Sequence, residues 1–251
     1  MSQTDAIRKL IQKGRELFEA PKAPVKFTGN ADADRILNDL ENYPHAYVLA
    51  CVMDRQIKAE RAWIIPYRFS QKLDGFQFSK LSSLSEDQIR KLMSEPEPLH
   101  RFVDEMSKNF HLAVKTIESK YSGNAENIWS DTPSSAELVY RFLELRGVGQ
   151  KIGTMAANIL ARDFKIPLKD RYSIDISVDV QVRRVFERIG FVEQGCSNEQ
   201  IIYRARAINP EFPGLLDFPA WEIGRLWCRP TSPDCDNCHM ASACNHARAN
   251  G

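Results

Sequence analysis

Four of the six cysteines of this chain, Cys228, Cys235, Cys238 and Cys244, fall within 17 residues and are separated by six, two and five residues. In a reducing compartment such a cluster reads as a metal site rather than a disulfide framework. Four thiolates can hold a [4Fe–4S] cluster or a tetrahedral zinc. Zinc sites usually use two CxxC-like pairs, and here only Cys235 and Cys238 form one. The C-terminal segment must therefore fold around one point. Cys51 and Cys196 stand alone and read as core thiols.

The rest of the pattern is helical, and the expected fold class is all-α. Ile7, Leu10, Ile11, Leu17 and Phe18 recur at helical spacing. The prolines and Gly29 of residues 20–30 read as a linker, followed by a short helix over 31–42. A third helix is expected from Pro44 to about Trp63, then an irregular stretch over 64–85 containing Pro66, Gly75 and several serines. Ser85 caps the next helix, which Pro96 and Pro98 end; 99–121 is helical again. Thr132, Ser134 or Ser135 caps a helix ending near Leu145, and 152–164 resumes the pattern after Gly149. A loop over 165–177 leads to helices over 178–189, 197–208 and 218–227. No segment alternates with period two beside a turn partner. At 251 residues the chain makes one large domain or two small ones. Its 43% hydrophobic and 27% charged content excludes a disordered chain. No apolar run reaches the roughly 20 residues of a membrane span. The charged start, through Leu17, lacks the apolar core of a secretory signal, so a cytoplasmic protein is expected.

Two further segments carry chemistry. In Leu145-Arg146-Gly147-Val148-Gly149-Gln150-Lys151, two glycines between helices allow a tight turn with positive φ and leave amides unshielded at the next helix start. Amides and helix dipole together make a phosphate site. The competing reading is a plain helix–helix turn with a glycine cap. Asp179 lies 28 residues after Lys151, at the start of a helix bearing Arg183, Arg184 and Arg188. A carboxylate is favoured there by the dipole, as a helix cap or as a reactive group. Asp175 is a second candidate that spacing does not exclude.

Together, the hairpin (Leu145, Gly147-Val148-Gly149, Lys151), the Val178-Asp179 pair and the 6-2-5 cysteine spacing resemble the endonuclease III family of helix-hairpin-helix DNA glycosylases. The resemblance runs from about Pro44 to Cys244 and is strongest from Leu145 onward. It implies two helical domains with a DNA-binding cleft between them. One is a six-helix barrel over 40–163, with the hairpin at 140–162. The other joins residues 1–39 to a cluster domain over 164–251. It implies a [4Fe–4S] cluster on the four cysteines, base flipping from damaged double-stranded DNA, and a monomer that is nucleoid-associated when on DNA. Lys151 falls on the family's nucleophile, which attacks C1′ and forms a Schiff base; a helix N-terminus favours the neutral amine this needs. Asp179 matches the carboxylate that stabilises the cationic sugar and assists proton transfer. Gln56 falls near the glutamine that fills the hole left by the flipped base, with Leu99 or His100 as the opposing wedge. Arg146, Gly147, Val148, Gly149 and Arg229 complete the expected DNA contacts.

Several residues depart from the family pattern. Arg146 replaces a proline, Gly153 replaces an alanine, and Ile57-Lys58-Ala59-Glu60 does not match the usual run after the glutamine. The loop over 165–177 is longer than usual, and the one between Cys228 and Cys235 has Arg229 as its only base. The target base is therefore left open, with an oxidised pyrimidine as the family expectation. A monofunctional glycosylase, of adenine-mismatch type or specialised for a modified base, and a non-enzymatic DNA-binding module are the alternatives. Trp63 to Phe69 is either a base-stacking wall or aromatic core. Net charge is only +1, but residues 141–190 hold 10 basic and 6 acidic side chains. Positive charge thus gathers where the motifs would bring DNA.

Overall fold

The computed structural model describes residues 3–250, and its regular elements are all helical. In chain order they are α1 (Gln3–Glu19), α2 (Ala31–Asn38), α3 (Pro44–Met53), α4 (Ala59–Trp63), α5 (Ile65–Leu73), α6 (Phe78–Ser82) and α7 (Glu86–Ser94). There follow α8 (Val103–Lys120), α9 (Ser135–Leu143), α10 (Gln150–Arg162), α11 (Val180–Ile189), α12 (Asn198–Ile208), α13 (Asp217–Leu226) and α14 (Asn245–Asn250). Among the described residues no helix is long and apolar enough to cross a membrane. The chain divides into two units. One comprises Met1–Pro21, Ser134–Val139 and Ala157–Gly251; the other comprises Lys22–Pro133 and Tyr140–Ala156.

The unit containing Lys22–Pro133 is organised by α3, every residue of which is buried. An all-round apolar helix has no solvent face, so its neighbours must enclose it. They are α2, α4, α5, α8 and a 3₁₀ turn over Ala125–Ile128. Tyr47 in α3 donates its buried hydroxyl to the Ala156 carbonyl at 2.7 Å. Phe69 of α5 stacks on Phe110 of α8 at 4.5 Å, and Phe27 stacks on Trp63 at 4.4 Å. Trp63, Ile65, Pro66 and Phe69 are therefore core rather than a base-stacking wall. His45 is buried against the Phe76 carbonyl, and burial lowers its pKa to about 4.

In the other unit, Ala6 and Leu10 of α1 join Val182, Val185, Phe186 and Ile189 of α11 and Ile223 of α13 in one core. Cys228, Cys238 and Cys244 pack partly buried against it. The C-terminal loop is thus tied to the N-terminal helix by shared burial.

Local signals explain most of the elements. Ser85 and Ser197 both form capping boxes, with Gln88 and Gln200 reaching back, and they open α7 and α12. Ser134 Oγ accepts from Glu137 N and opens α9. Two expectations fail. The helix from Pro44 breaks at Asp54 and restarts as α4, because Gln56 adopts φ +56°. The stretch over 64–85 is not irregular: α5 has Pro66 in its first turn, where proline fits a helix, and α6 follows. Leu49→Ala in α3, where Leu49 is fully buried, is expected to cost about 2–5 kcal/mol, read from urea unfolding followed by circular dichroism.

Candidate active site

The hairpin lies within residues 140–156. Val148 N donates to Leu145 O at 3.0 Å, closing the turn, and Leu145 and Val148 are buried, 1% and 8% exposed. Gly147 adopts φ +88°, and a Cβ there would meet Asn109 Nδ2 at 2.6 Å, so only glycine fits. Gly149 differs from the expectation: its φ is not positive, and nothing stands within 4 Å of where its Cβ would be. What it offers is open approach to the backbone at the start of α10. The first-turn amides of a helix have no intrahelical acceptor. Gly149 O accepts from Gly153 N at 2.9 Å, setting the first turn of α10. Lys151 is the second residue of that helix, with its side chain exposed; Arg146 is exposed on the turn. The hairpin is clamped in its own unit. Arg141 donates to both Asp131 carboxylate oxygens at 2.7 and 2.9 Å, and Glu144 accepts from Lys120 and from Tyr121 OH. The Lys120 ammonium holds the Glu144 carboxyl below the usual carboxylate range.

Gln56 is exposed in the loop between α3 and α4, at a strained backbone conformation of the kind that clusters at functional sites. The structure brings it beside the expected wedge segment: Arg101 Nη1 donates to Gln56 O at 3.5 Å. Within that segment His100 is 1% exposed, and its Nδ1 accepts from Phe102 N at 3.1 Å. Burial lowers its pKa. A side chain so enclosed supports the loop rather than entering DNA, which leaves Leu99, half-buried, as the wedge candidate.

In the other unit, residues 174–179 form no regular element, and polar contacts hold them at several points. Ile174 O accepts from Gly214 N at 2.7 Å. Asp175, 3% exposed, takes a bidentate bond from Arg206 at 2.7 and 2.8 Å. Ser177 N donates to Asp217 Oδ1 at 2.8 Å. Asp179 then caps α11: its Oδ1 accepts from Gln181 N at 2.8 Å and Val182 N at 2.9 Å, and it stays half-exposed. The two candidate carboxylates are thereby told apart. Asp175 is buried and committed to an ion pair with the partly exposed Arg206, and Asp179 presents an oriented carboxylate at the surface. Asp217 was not visible as special in sequence, because nothing there marks it as buried. Burial pushes its pKa up to about 6, with Asp179 adding to the shift and Ser177 N–H and Arg162 opposing it.

The four clustered cysteines line a single pocket with Val185, Ile189, Ile223 and Met240 among its walls. Arg188 Nη1 lies 3.4 Å from Cys228 Sγ, and Cys244 Sγ lies 3.3 Å from Arg188 O. Burial and the neighbouring thiols raise the pKa of Cys235 and Cys238, so these two favour the thiol form. Among the described residues no three Cys, His, Asp or Glu side chains converge as ligands of one metal ion. Zinc draws four sulfurs, each about 2.3 Å from it, toward one point. A four-iron cluster spreads them over separate irons. Four soft donors around one apolar pocket suit a soft metal group.

The basic residues of α11 are used internally. Arg184 donates to Cys228 O at 2.6 Å and Gly224 O at 2.9 Å; Arg188 donates to Arg229 O at 2.7 Å and Pro230 O at 2.9 Å; Arg183 donates to Cys196 O. These arginines hold loops in place, so much of the charge excess of residues 141–190 is not free for phosphates. Arg229 is half-exposed and lies 4.0 Å from Asp234.

A family model described as the HhH-GPD superfamily of base excision DNA repair proteins matches residues 49–210. Endonuclease III of Thermotoga maritima is 26% identical over 164 residues, which span 63% of this chain and 68% of that protein. A trapped endonuclease III–DNA covalent intermediate superposes with a TM-score of 0.64 at 17% identity, over 100% of this chain and 99% of that one. A thermostable thymine-DNA glycosylase gives 0.65 at 13% identity over 98% of each chain. The 8-oxoguanine glycosylase/lyase of Clostridium acetobutylicum, in complex with DNA, gives 0.57 at 14% identity over 90% of this chain and 70% of that one. At these identities the structural matches establish the helical fold.

Arg206→Ala removes the bidentate partner of Asp175, whose side chain is 5% exposed. It is expected to cost about 1–3 kcal/mol, because a buried carboxylate loses charged donors; chemical denaturation measures this.

Proposed function

Because this chain belongs to the HhH-GPD superfamily of base excision DNA repair proteins, we propose that it is a bifunctional DNA glycosylase and abasic-site lyase. It acts as a monomer on double-stranded DNA carrying a damaged or modified base, with oxidised pyrimidines as the first substrate class. The observation that carries this reading is the pairing of motif and chemistry: an exposed lysine in the first turn of the hairpin helix, and a carboxylate oriented by two amides at the head of α11.

In this mechanism the target base is flipped out of the stack, and Gln56, with Leu99 opposite, occupies the space it leaves. The Lys151 amine attacks C1′ as the C1′–N bond breaks and the base departs with the bonding electrons. The Asp179 carboxylate stabilises the positive charge that develops on the sugar, then assists proton transfer as the ring opens to a Schiff base. Loss of the C2′ proton from that Schiff base expels the 3′ phosphate and cuts the strand. Arg146, Arg229 and the backbone of Gly147, Val148 and Gly149 contact phosphates, and the amides of the α10 start supply part of the grip. Cys228, Cys235, Cys238 and Cys244 would hold a [4Fe–4S] cluster, which ties the C-terminal loop to one point. An exposed lysine at the head of the hairpin helix weighs against a water-attacking, monofunctional reaction.

Three results are expected. Borohydride should trap a covalent adduct between the wild-type protein and damaged duplex, and Lys151→Ala should trap none; Asp179→Asn should still bind DNA but lose base release by about 100-fold or more. Trapping that survives Lys151→Ala would remove the lysine from the mechanism. Freshly purified protein should be brown with broad visible absorption that Cys238→Ser abolishes, whereas a colourless protein carrying one zinc would contradict the cluster. Release and strand cutting across a panel of modified bases then identify the substrate.

A further inference from the structure

Asp217 is the first residue of α13, is 9% exposed, and takes no part in the chemistry above. Its Oδ1 accepts from Ser177 N at 2.8 Å. Ser177 is itself buried, 6% exposed, so that amide needs an internal acceptor. Only Val178 separates Ser177 from Asp179, whose carboxylate is fixed on its far side by the amides of Gln181 and Val182. Asp179 is thus held between two anchors, and one of them is a titratable group.

We propose that Asp217 is a positioning residue for Asp179: ionised, it holds Ser177 firmly, and its protonation loosens that hold and slows base release. The inference rests on the role given to Asp179 in the proposed function. A hydrogen bond from an amide to a carboxylate is roughly twice as strong as one to a neutral acceptor. Protonating Asp217 therefore weakens the anchor without removing it. The charged groups acting on it are Arg162 on α10, which favours ionisation, and Asp179 at the head of α11, which opposes it. The segment just before α13, Pro213–Leu216, carries no charge, and α1 brings Gly14, Leu17 and Phe18 to this region. An ordinary aspartate, with a pKa near 3.9, stays ionised across the working range of an enzyme. Burial moves Asp217 to about 6, so its charge changes within that range.

The test is single-turnover base release between pH 5 and 8.5 on a thymine-glycol duplex, with a preformed abasic duplex as second probe. Wild type, Asp217→Asn and Asp179→Asn are compared. Wild type is expected to be about fivefold slower at pH 5 than at pH 7.5. Asp217→Asn keeps an acceptor oxygen but cannot ionise, so it should lose Asp217's share of the acid limb and fall less between pH 7.5 and pH 5 than wild type, keeping only the rise that the Lys151 amine imposes; a purely structural role would instead lower the rate equally at every pH. An acid limb that persists unchanged in Asp217→Asn overturns the inference. Carbon-13 NMR of the wild-type carboxyl groups covers a variant that fails to fold. A titration of Asp217 that coincides with the activity limb supports the proposal, and a carboxyl that stays ionised down to pH 4.5 overturns it. Wild-type rates in Asp179→Asn would instead overturn the proposed function and leave the Asp217 titration to stand or fall by itself.

Discussion

The amides at the head of α11 need acceptors, and Asp179 supplies them. The same two hydrogen bonds that start the helix also fix the carboxylate in one orientation. The remaining oxygen is aimed by the backbone rather than by side-chain rotamers, so little entropy is left to lose when substrate arrives. This arrangement needs the preceding segment to be rigid, although residues 174–179 have no sheet partner. Gly214, Arg206 and Asp217 hold it at Ile174, Asp175 and Ser177. Two of these three contacts involve a buried carboxylate, so the fold accepts a desolvation cost to hold the proposed catalytic carboxylate still.

Charge is divided by task. The arginines of α11 turn inward to carbonyls, and Arg184 and Arg188 fasten the loop that begins at Cys228. The hairpin relies on backbone geometry: Gly147 makes the turn, and Gly149 leaves the start of α10 open. A protein that grips DNA through amides as well as side chains needs little excess positive charge. A net charge of +1 is then compatible with a nucleic-acid enzyme.

Much of this was legible in the sequence. The capping serine Ser85 and the turn glycine Gly147 are local signals, and local physics carries them into the fold. What sequence could not show depends on burial or on long-range partners. Asp175 and Asp179 look alike until Arg206, 31 residues away, takes one of them out of use. Pro66 looks like a breaker until it falls in a first turn, where its missing N–H costs nothing. The arginines after Asp179 look like a DNA face until their carbonyl partners are seen. The positive φ of Gln56, which splits one expected helix into α3 and α4, has no counterpart in residue type.

The account stands on Lys151 as the atom source of the covalent bond to DNA. Borohydride-reduced adduct, digested with protease and nuclease and sequenced by tandem mass spectrometry, reads that bond directly. The deoxyribose remnant is predicted on the Lys151 side chain. A remnant on any other lysine, or on the N-terminal amine, would contradict the account.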